Sequence, residues 1–202
     1  MSRRIGLLGG SFNPVHNGHL MLASYISQFG PVDEVWLVLS PCSPFKINDS
    51  KASDSDRLEM LKIAVGESKT LKVCDIELHL PRPSYTISTL EHLSKEYPDY
   101  SFIPIIGGDN VSGFSRWKDS DRIINDYGLI LYPRKGFDSS AIEHRNVEII
   151  DAPEIEISST FIRECIGKGY DMNFFLPEAV YEYIMKNGIY KPQKNGQQQN
   201  EQ

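Results

Sequence analysis

The sequence predicts an α/β protein whose central sheet is parallel and covered by helices on both faces. The chain has 202 residues, enough for one domain with a substantial core. Segments with strand character alternate with segments of helical periodicity along nearly its whole length. Residues 35–39 read VWLVL, a continuous apolar run typical of a strand that is buried on both faces. These observations favour a single domain with a doubly wound, Rossmann-like sheet.

Apolar runs, helical spacing and capping residues assign twelve elements. In the first half they are a strand over 3–8, a helix over 20–29, a strand over 35–39, a helix capped by Ser53, a strand over 71–74, and a helix over Ile87, Leu90 and Leu93. In the second half they are strands over 102–106, 129–132 and 147–150, a short helix over 121–125, a helix from Ser159, and a helix from Pro177 that Gly188 ends.

Two further segments have a polar character. Residues 40–52 form a long loop with two prolines, and long loops in compact domains often serve as lids. Residues 191–202 are polar and low in complexity, so we predict one domain over residues 1–190 followed by a disordered tail.

Composition excludes several classes of protein. The chain carries 27 acidic and 21 basic side chains, a net charge of −6, which is the opposite of a surface that coats nucleic acid. An anionic ligand must therefore be held by a local site. Three cysteines without C-x-x-C spacing favour neither a disulfide framework nor a cysteine zinc site. Without a signal peptide or spanning helix in the pattern, we expect a cytoplasmic protein with neither membrane nor nucleic acid as partner.

The crossover from the first strand to the first helix reads GGSFNPVHNGHL. Ligands of open α/β sheets bind beyond the carboxyl ends of the strands, so we expect a site here. Gly9 and Gly10 permit close approach of the backbone to a ligand, while His16 and His19 flank the start of the next helix. Free amides, the helix dipole and imidazole N–H groups together favour an anion such as phosphate. The segment is neither a G-x-G-x-x-G nor a Walker A motif.

Two other interpretations of these histidines stay open. They could lie on the surface, or they could be two ligands of a zinc site. The zinc interpretation lacks a third ligand, because His79, His92 and His144 lie in unrelated segments.

A second motif, ISSTFIR, covers residues 157–163. Ser158 or Ser159 caps a helix, and Arg163 lies in its first turns, where its charge opposes the helix dipole unless an anion lies between them. The motif therefore predicts a ligand, with ordinary capping and a solvent-exposed arginine as the alternative.

Three further features are candidates for nucleotide contacts. Asp109 follows Gly107 at the end of a strand and could accept hydrogen bonds from ribose hydroxyls, or could simply be a turn residue. Trp117 lies among polar residues and could stack on a planar ring, whereas Trp36 is predicted to be core. Residues 83–86, PSYT, open a helix whose free amides could hold a carboxylate or be capped by the hydroxyls.

These motifs together resemble a known family. GGSFNPVHNGHL is similar to the G-G-[ST]-F-[DN]-P-x-H-x-G-H-L signature of the nucleotidyltransferase superfamily, and ISSTFIR to its second signature, I-S-[SA]-T-x-[IL]-R. RPSYTISTL, GGDN with the tryptophan after it, YPRKG and YIMKNGIY match, in order, the bacterial nicotinate-nucleotide adenylyltransferases. The resemblance covers residues 5–190 and is carried by the whole set rather than by one motif.

The resemblance implies adenylyl transfer from ATP to nicotinate mononucleotide, giving deamido-NAD and pyrophosphate. The attacking 5′-phosphate has a second pKa of about 6, so it is already charged and needs no general base. The protein's task is then to position two anions in line and to stabilise their charge. A Mg²⁺ ion is implied on the ATP phosphates, held mainly by substrate oxygens and water.

The resemblance also assigns roles to residues. The implied catalytic residues are His16, His19 and Arg163. The implied ATP-binding residues are Gly9, Gly10, Ser11, Phe12, Lys46, Gly107, Asp109, Ser158, Ser159 and Thr160. The implied residues for nicotinate mononucleotide are Tyr85, Thr86, Trp117 and Arg134, and no protein metal ligand is implied.

One departure concerns the loop after the second strand. The family usually has P-P-H-[KR] there, whereas this chain has Phe45 in place of the histidine. Lys46 remains as the cation, so we expect Lys46→Ala to weaken ATP binding, measured as KM for ATP.

Electrostatics and selectivity give two more expectations. His19 should be neutral in the free protein, because a helix N-terminus disfavours imidazolium. Donors around Tyr85 and Thr86 should favour nicotinate over nicotinamide by up to about 10⁴-fold, since they complement a carboxylate.

The rival functions are adenylyl transfer to nicotinamide mononucleotide or phosphopantetheine, and nucleotide sensing without turnover. The sequence leaves a homo-oligomer open.

Overall fold

A computed structural model describes residues 2–41, 52–132, 134, 142 and 144–191. Six parallel strands form one sheet in the order β3-β2-β1-β4-β5-β6. The strands are β1 (Arg3–Gly10), β2 (Glu34–Leu39), β3 (Leu71–Cys74), β4 (Tyr100–Gly107), β5 (Leu129–Tyr132) and β6 (Val147–Ile149). The helices are α1 (Asn17–Phe29), α2 (Asp54–Val65), α3 (Thr86–Glu96), α4 (Val111–Phe114), α5 (Ser120–Arg122), α6 (Ser159–Gly167) and α7 (Glu178–Asn187).

The predicted doubly wound fold is confirmed, because apolar side chains cover both faces of the sheet. Every residue of β2 is buried, as the VWLVL run indicates. Leu37 faces a core that includes Ile26 of α1 and Ile184 of α7. Trp36, the residue before Leu37, faces a second core that includes Leu90 of α3. Trp36 is 6% exposed, as predicted for a core residue.

Helix ends follow the local chemistry of the sequence. The Ser53 hydroxyl accepts a hydrogen bond from the backbone N–H of Asp56 and so caps α2. Gly188 ends α7 in the left-handed region, with φ of 64°, which glycine adopts without strain.

The twelve predicted elements are present, with shifts at their ends. The predicted helix over 121–125 is a short α5 that continues into a π-helical turn, Ile123–Tyr127. Three 3₁₀ turns, Ile76–Leu78, Gly108–Asn110 and Asn173–Phe175, and the short α4 had no clear periodicity in the sequence. Residues 42–51 of the predicted lid and residues 192–202 of the predicted tail lie outside the described residues.

The topology determines where a ligand can bind. The chain winds outward from β1 to β3 on one side and from β4 to β6 on the other, so the winding direction reverses between β1 and β4. The carboxyl ends of these two adjacent strands are Gly10 and Gly107. A crevice at such a switch point is where doubly wound folds bind ligands.

Among the described residues, no helix is both long and apolar enough to span a membrane. Cys74 is buried and Cys165 is half-buried, and both are free thiols.

Candidate active site

Two cavities lie side by side at the switch point between β1 and β4. The histidine cavity, of about 170 Å³, is lined by His16, His19 and Arg134 among others. The tryptophan cavity, of about 280 Å³, is lined by Trp117 and Thr86 among others. The residues that line both cavities are Leu8, Gly9, Asn110 and Tyr132. This shared wall would let two ligands meet.

The two histidines form a stacked pair at the start of α1. Their ring centroids are 3.7 Å apart and their planes differ by 25°. The backbone N–H of His16 donates to Nδ1 of His19 over 3.3 Å. A neutral His19 that accepts at Nδ1 carries its proton on Nε2, so this nitrogen is a hydrogen-bond donor.

Small and aromatic neighbours create the space for this pair. A Cβ at Gly18 would lie 3.1 Å from Nδ1 of His16, so glycine at this position leaves room for the ring. Phe12 is 1% exposed and contacts His19 edge-to-face with centroids 5.0 Å apart. The Phe12 side chain therefore supports the histidine from the core.

The electrostatic environment keeps both imidazoles neutral. Burial, together with the nearby Arg134 charge, lowers the pKa of His16 to about 4. Burial first, and then the neighbouring His16 and Arg134, hold the pKa of His19 well below its ordinary value. The predicted neutral state of His19 is borne out in direction, with burial as the main cause rather than the helix dipole.

Arg134 lies beside the histidines. Its guanidinium is 5.3 Å from the centre of the Tyr132 ring, and Nη2 is 3.5 Å from the Tyr132 hydroxyl. Its Nε is buried with no hydrogen-bond partner among the described residues. A buried donor without a partner is costly, so the cavity is suited to an anionic acceptor.

Arg163 takes a different position from that of Arg134. Nη1 of Arg163 donates to the backbone carbonyl of Asn13 over 2.7 Å, and Nη2 to the Thr160 hydroxyl over 3.2 Å. The side chain thus meets the β1–α1 loop, and it is not among the residues that line the histidine cavity. Sequence reasoning predicted one group made of the two histidines and this arginine, whereas the guanidinium that shares their cavity is that of Arg134.

The two serines at the start of α6 differ in their bonding. Ser158 caps α6, since its hydroxyl accepts from the backbone N–H of Phe161 over 3.1 Å. The Ser159 hydroxyl donates to the carbonyl of Pro14 over 2.9 Å. Together with Arg163, Ser159 attaches α6 to the loop that carries the histidines.

The tryptophan cavity contains two of the four residues predicted to bind the second substrate. Trp117 and Thr86 line it, and Thr86 is the first residue of α3. Tyr85 precedes that helix without capping it by its side chain, so the first amides of α3 keep free donors. The Tyr85 ring is 41% exposed and lies 4.8 Å from Nζ of Lys118.

Four of the remaining residues predicted for ATP line these cavities, whereas Ser11 and Thr160 are not among the lining residues. Gly9 lines both cavities, Gly10 and Gly107 line the tryptophan cavity, and Asp109 lines the histidine cavity. A Cβ at Gly107 would clash with Oδ1 of Asp109 and with the Tyr132 hydroxyl, so a larger residue there would displace these two side chains. Lys46 lies outside the described residues.

Several polar residues of the site had no clear signal in the sequence. Asn110, Glu77 and Thr89 line the tryptophan cavity. Arg57 is 0% exposed, and its Nη1 donates to the backbone carbonyls of Ser11 and Ser40, the latter over 2.9 Å. The signal that could have indicated Arg57 is its spacing of three and four residues from Met60 and Leu61, which places it on the buried face of α2, although an arginine on a helix usually faces solvent.

The described residues contain no group of three or more His, Cys, Asp or Glu side chains that could hold a metal ion. A cation at this site would therefore depend on ligand oxygens and water.

Comparisons with known proteins agree with this geometry. The sequence profile of the cytidylyltransferase-like proteins matches residues 7–165. The chain is 45% identical over 185 residues to the probable nicotinate-nucleotide adenylyltransferase of Bacteroides fragilis, covering 91% of this chain and 92% of that protein. It is 39% identical over 191 residues to the corresponding probable enzyme of Flavobacterium johnsoniae, covering 93% and 99%.

A solved structure supports the fold independently. The Plasmodium falciparum nicotinic acid mononucleotide adenylyltransferase complexed with NaAD superposes with a TM-score of 0.78 at 24% identity. The match covers 93% of this chain and 97% of that chain, so the architecture is shared over nearly the full length.

Proposed function

This chain belongs to the nicotinate-nucleotide adenylyltransferase family, and we propose that its two adjoining cavities carry out adenylyl transfer from ATP to nicotinate mononucleotide. The enzyme serves NAD biosynthesis and its substrates are nucleotides. The observation that carries the mechanism is the stacked pair of His16 and His19 beside Arg134, in a cavity that shares a wall with the cavity of Trp117.

The ATP phosphates are assigned to the histidine cavity. His19 donates from Nε2, and the backbone of the β1–α1 loop around Gly9 to Phe12 supplies further donors. The residues assigned to ATP remain Gly9, Gly10, Ser11, Phe12, Gly107, Asp109, Ser158, Ser159 and Thr160, with Lys46 kept as a prediction. Arg163 and Ser159 act by holding that loop in place, through their bonds to Asn13 and Pro14.

Nicotinate mononucleotide is assigned to the tryptophan cavity, with its ring on Trp117 and its carboxylate at the free amides of α3. Its 5′-phosphate then reaches the wall shared by the cavities, where Arg134 meets it. The donors at Thr86 favour a carboxylate over a carboxamide, which supports preference for nicotinate.

The chemical step needs positioning and charge stabilisation rather than proton transfer. An oxygen of the 5′-phosphate forms a bond to the α-phosphorus of ATP, and the bond from that phosphorus to the bridging oxygen of pyrophosphate breaks. The attacking phosphate is already dianionic near neutral pH, because its second pKa is about 6. His16, His19 and Arg134 lie where charge builds up, and the imidazoles take on positive character only when phosphate is present.

We also assign Mg²⁺ to the ATP phosphates, where it neutralises part of their charge. The described residues offer no ligand cluster, so substrate oxygens and water hold the ion, and Asp109 lies near enough to the cavity to contact its water shell. A cytoplasmic location and the homo-oligomer stay predictions.

One assay tests the proposal. Protein and Mg-ATP are incubated with nicotinate or nicotinamide mononucleotide, and dinucleotide and pyrophosphate are followed. We expect efficient turnover of nicotinate mononucleotide, and a loss of about 10²-fold or more in kcat for His19→Ala. His92→Ala, a change at a histidine with 46% side-chain exposure on α3, is the matched control and should leave the rate unchanged.

Equal turnover of both acceptors would contradict the selectivity. A nucleotide-sensing protein would bind the dinucleotide but give no product in a single turnover, so a single-turnover experiment separates this rival. The remaining rival function, adenylyl transfer to phosphopantetheine, is tested by supplying phosphopantetheine as the acceptor.

A further inference from the structure

The tryptophan cavity has an unexpected charge. Among the described residues that line it, Glu77 is the sole charged side chain, and the others are apolar, glycine, hydroxyl or amide residues. The cavity assigned to a substrate with a carboxylate therefore has a carboxylate in its own wall. A carboxylate in a cavity of low polarity repels a second one unless a positive charge lies between them.

The Glu77 carboxylate is held at the cavity wall by two hydroxyls. Oε1 accepts from the Thr89 hydroxyl over 3.0 Å, and Oε2 is 3.4 Å from the Ser84 hydroxyl. Thr89 is 3% exposed and itself lines the cavity, and Glu77 is half-buried in the same wall. Within the described part of the chain, no lysine, arginine or histidine makes a salt bridge to Glu77. Its charge is thus left for a ligand.

Nicotinate mononucleotide carries the charge that this arrangement lacks. Its ring nitrogen is quaternary, because it bears the ribose, so the pyridinium ring is a cation and the whole base is a zwitterion. The α3 amides complement the carboxylate of that zwitterion, but they leave the ring cation without a partner. Trp117 stacks on rings of either charge state, although its face prefers a cation.

We propose that Glu77 is the counter-charge of the pyridinium ring and makes the enzyme select the oxidised mononucleotide over its reduced form. This inference rests on the proposed function. In the 1,4-dihydropyridine form the ring is neutral, so Glu77 gains nothing from it and still repels the carboxylate. Glu77 is a specificity-determining residue, since it contributes charge to substrate binding and no group to the transfer itself.

Glu77 could also act structurally, through its hydrogen bonds, and two variants distinguish that role from the electrostatic one. The carboxylate connects the turn after β3 to Ser84 and Thr89, which flank the start of α3. Glu77→Gln keeps an oxygen to accept from Thr89 and an amide to bond Ser84, but it removes the charge. Ser84→Ala removes one hydrogen bond and keeps the charge. The two variants therefore separate the effect of the Glu77 charge from the effect of its hydrogen bonds on the local structure.

The experiment measures kcat/KM for nicotinate mononucleotide and for its 1,4-dihydro form at one pH, using the full chain with Mg-ATP. We expect wild type to prefer the oxidised form by about tenfold or more. Glu77→Gln should lower kcat/KM for the oxidised form by a similar factor and leave that for the reduced form equal or higher, so the preference collapses. Ser84→Ala should keep the preference.

The outcomes are separable. If wild type does not adenylate the oxidised form, the proposed function fails before Glu77 is tested. If wild type adenylates both forms equally, or if Glu77→Gln lowers both by the same factor, the electrostatic role is overturned while the function stands. Equal turnover of the two forms by wild type overturns the electrostatic role even if Glu77→Gln does not fold, and thermal unfolding of each variant shows whether it folds.

Discussion

Arg163 donates a hydrogen bond to the backbone carbonyl of Asn13 over 2.7 Å, although the two residues are 150 positions apart in the chain. The contact joins the second signature segment to the first. Asn13 is 3% exposed, and its side-chain oxygen accepts from the Tyr190 hydroxyl over 2.7 Å. The loop that precedes His16 is therefore fixed from two directions by the C-terminal third of the chain.

Arg163→Ala should weaken both catalysis and stability. Loss of a hydrogen bond from a charged group costs about 1.5–3 kcal/mol in the free energy of unfolding, and the released loop should lower kcat by more than about tenfold. Denaturant unfolding and steady-state kinetics measure the two effects. Arg122→Ala, which removes exposed ion pairs on the surface, is the matched control and should change neither. A variant with lower kcat but native stability would instead indicate that Arg163 acts by touching substrate.

His19 should titrate below its ordinary range in the free protein and move upward when ATP binds. Burial and the neighbouring Arg134 charge lower the pKa of His19, and a phosphate beside the ring favours imidazolium. Ring resonances followed by NMR across pH, with and without ATP, measure the shift. Arg134→Gln should raise the pKa of both His16 and His19, because it removes a repelling cation. Titration of His19 above 6.5 without ligand would refute this description of the cavity.

Stability should fall as the solution is acidified through the range between 6.5 and about 4. The pKa of His16 is lowered in the folded state, so between these values the unfolded chain binds a proton that the folded protein does not. The contribution is fully present above 6.5 and is lost as the pH falls toward 4. Each unit is worth about 1.4 kcal/mol, so His16 alone accounts for about 3 kcal/mol over this range.

Denaturant unfolding at several pH values measures this loss. Carboxylates also titrate in this range, so the informative quantity is the difference in slope between wild type and His16→Gln. We expect the variant to have the shallower dependence on pH. Equal slopes would mean that His16 has the same pKa in the folded and the unfolded protein.

The fold was predictable because its signals are local. A continuous apolar run identified β2, a serine three residues before an aspartate identified the start of α2, and Gly188 marked the end of α7. The two histidines were predictable as a site because their spacing places them at the first crossover of the sheet. Each of these predictions depends only on residues that are close in sequence, and none requires knowledge of which distant segments come into contact.

The rest of the site depends on distant segments and could not be read from spacing. Arg134 follows β5 by two residues and shares a cavity with His19. The strand order of the folded sheet brings these two residues together. Glu77 and Thr89 look like ordinary surface and helix residues in the sequence, yet they line the tryptophan cavity. Arg57 looks like a solvent-facing helix residue, and its burial follows from backbone carbonyls that no sequence pattern marks.

Arg57→Met should strongly destabilise the protein and disturb both cavities. The guanidinium donates to the carbonyls of Ser11 and Ser40 and to the Asp54 carboxylate over 2.6 Å, so it joins the ends of β1 and β2 to the start of α2. Removal leaves buried acceptors without a donor, which costs about 3–5 kcal/mol. Since Ser40 lines the tryptophan cavity, we also expect KM to rise for nicotinate mononucleotide.

Arg57→Lys separates charge from geometry in this interaction. Lysine keeps the positive charge, but its single ammonium cannot replace a planar group that donates to three acceptors on separate segments. We therefore expect Arg57→Lys to recover only part of the stability lost in Arg57→Met, as measured by denaturant unfolding, with Arg122→Met as the surface control. Full recovery by lysine would show that the charge opposite Asp54 is what matters, and that the carbonyls of Ser11 and Ser40 are satisfied in another way. An Arg57→Met protein as stable as wild type would remove Arg57 from the framework of the site altogether.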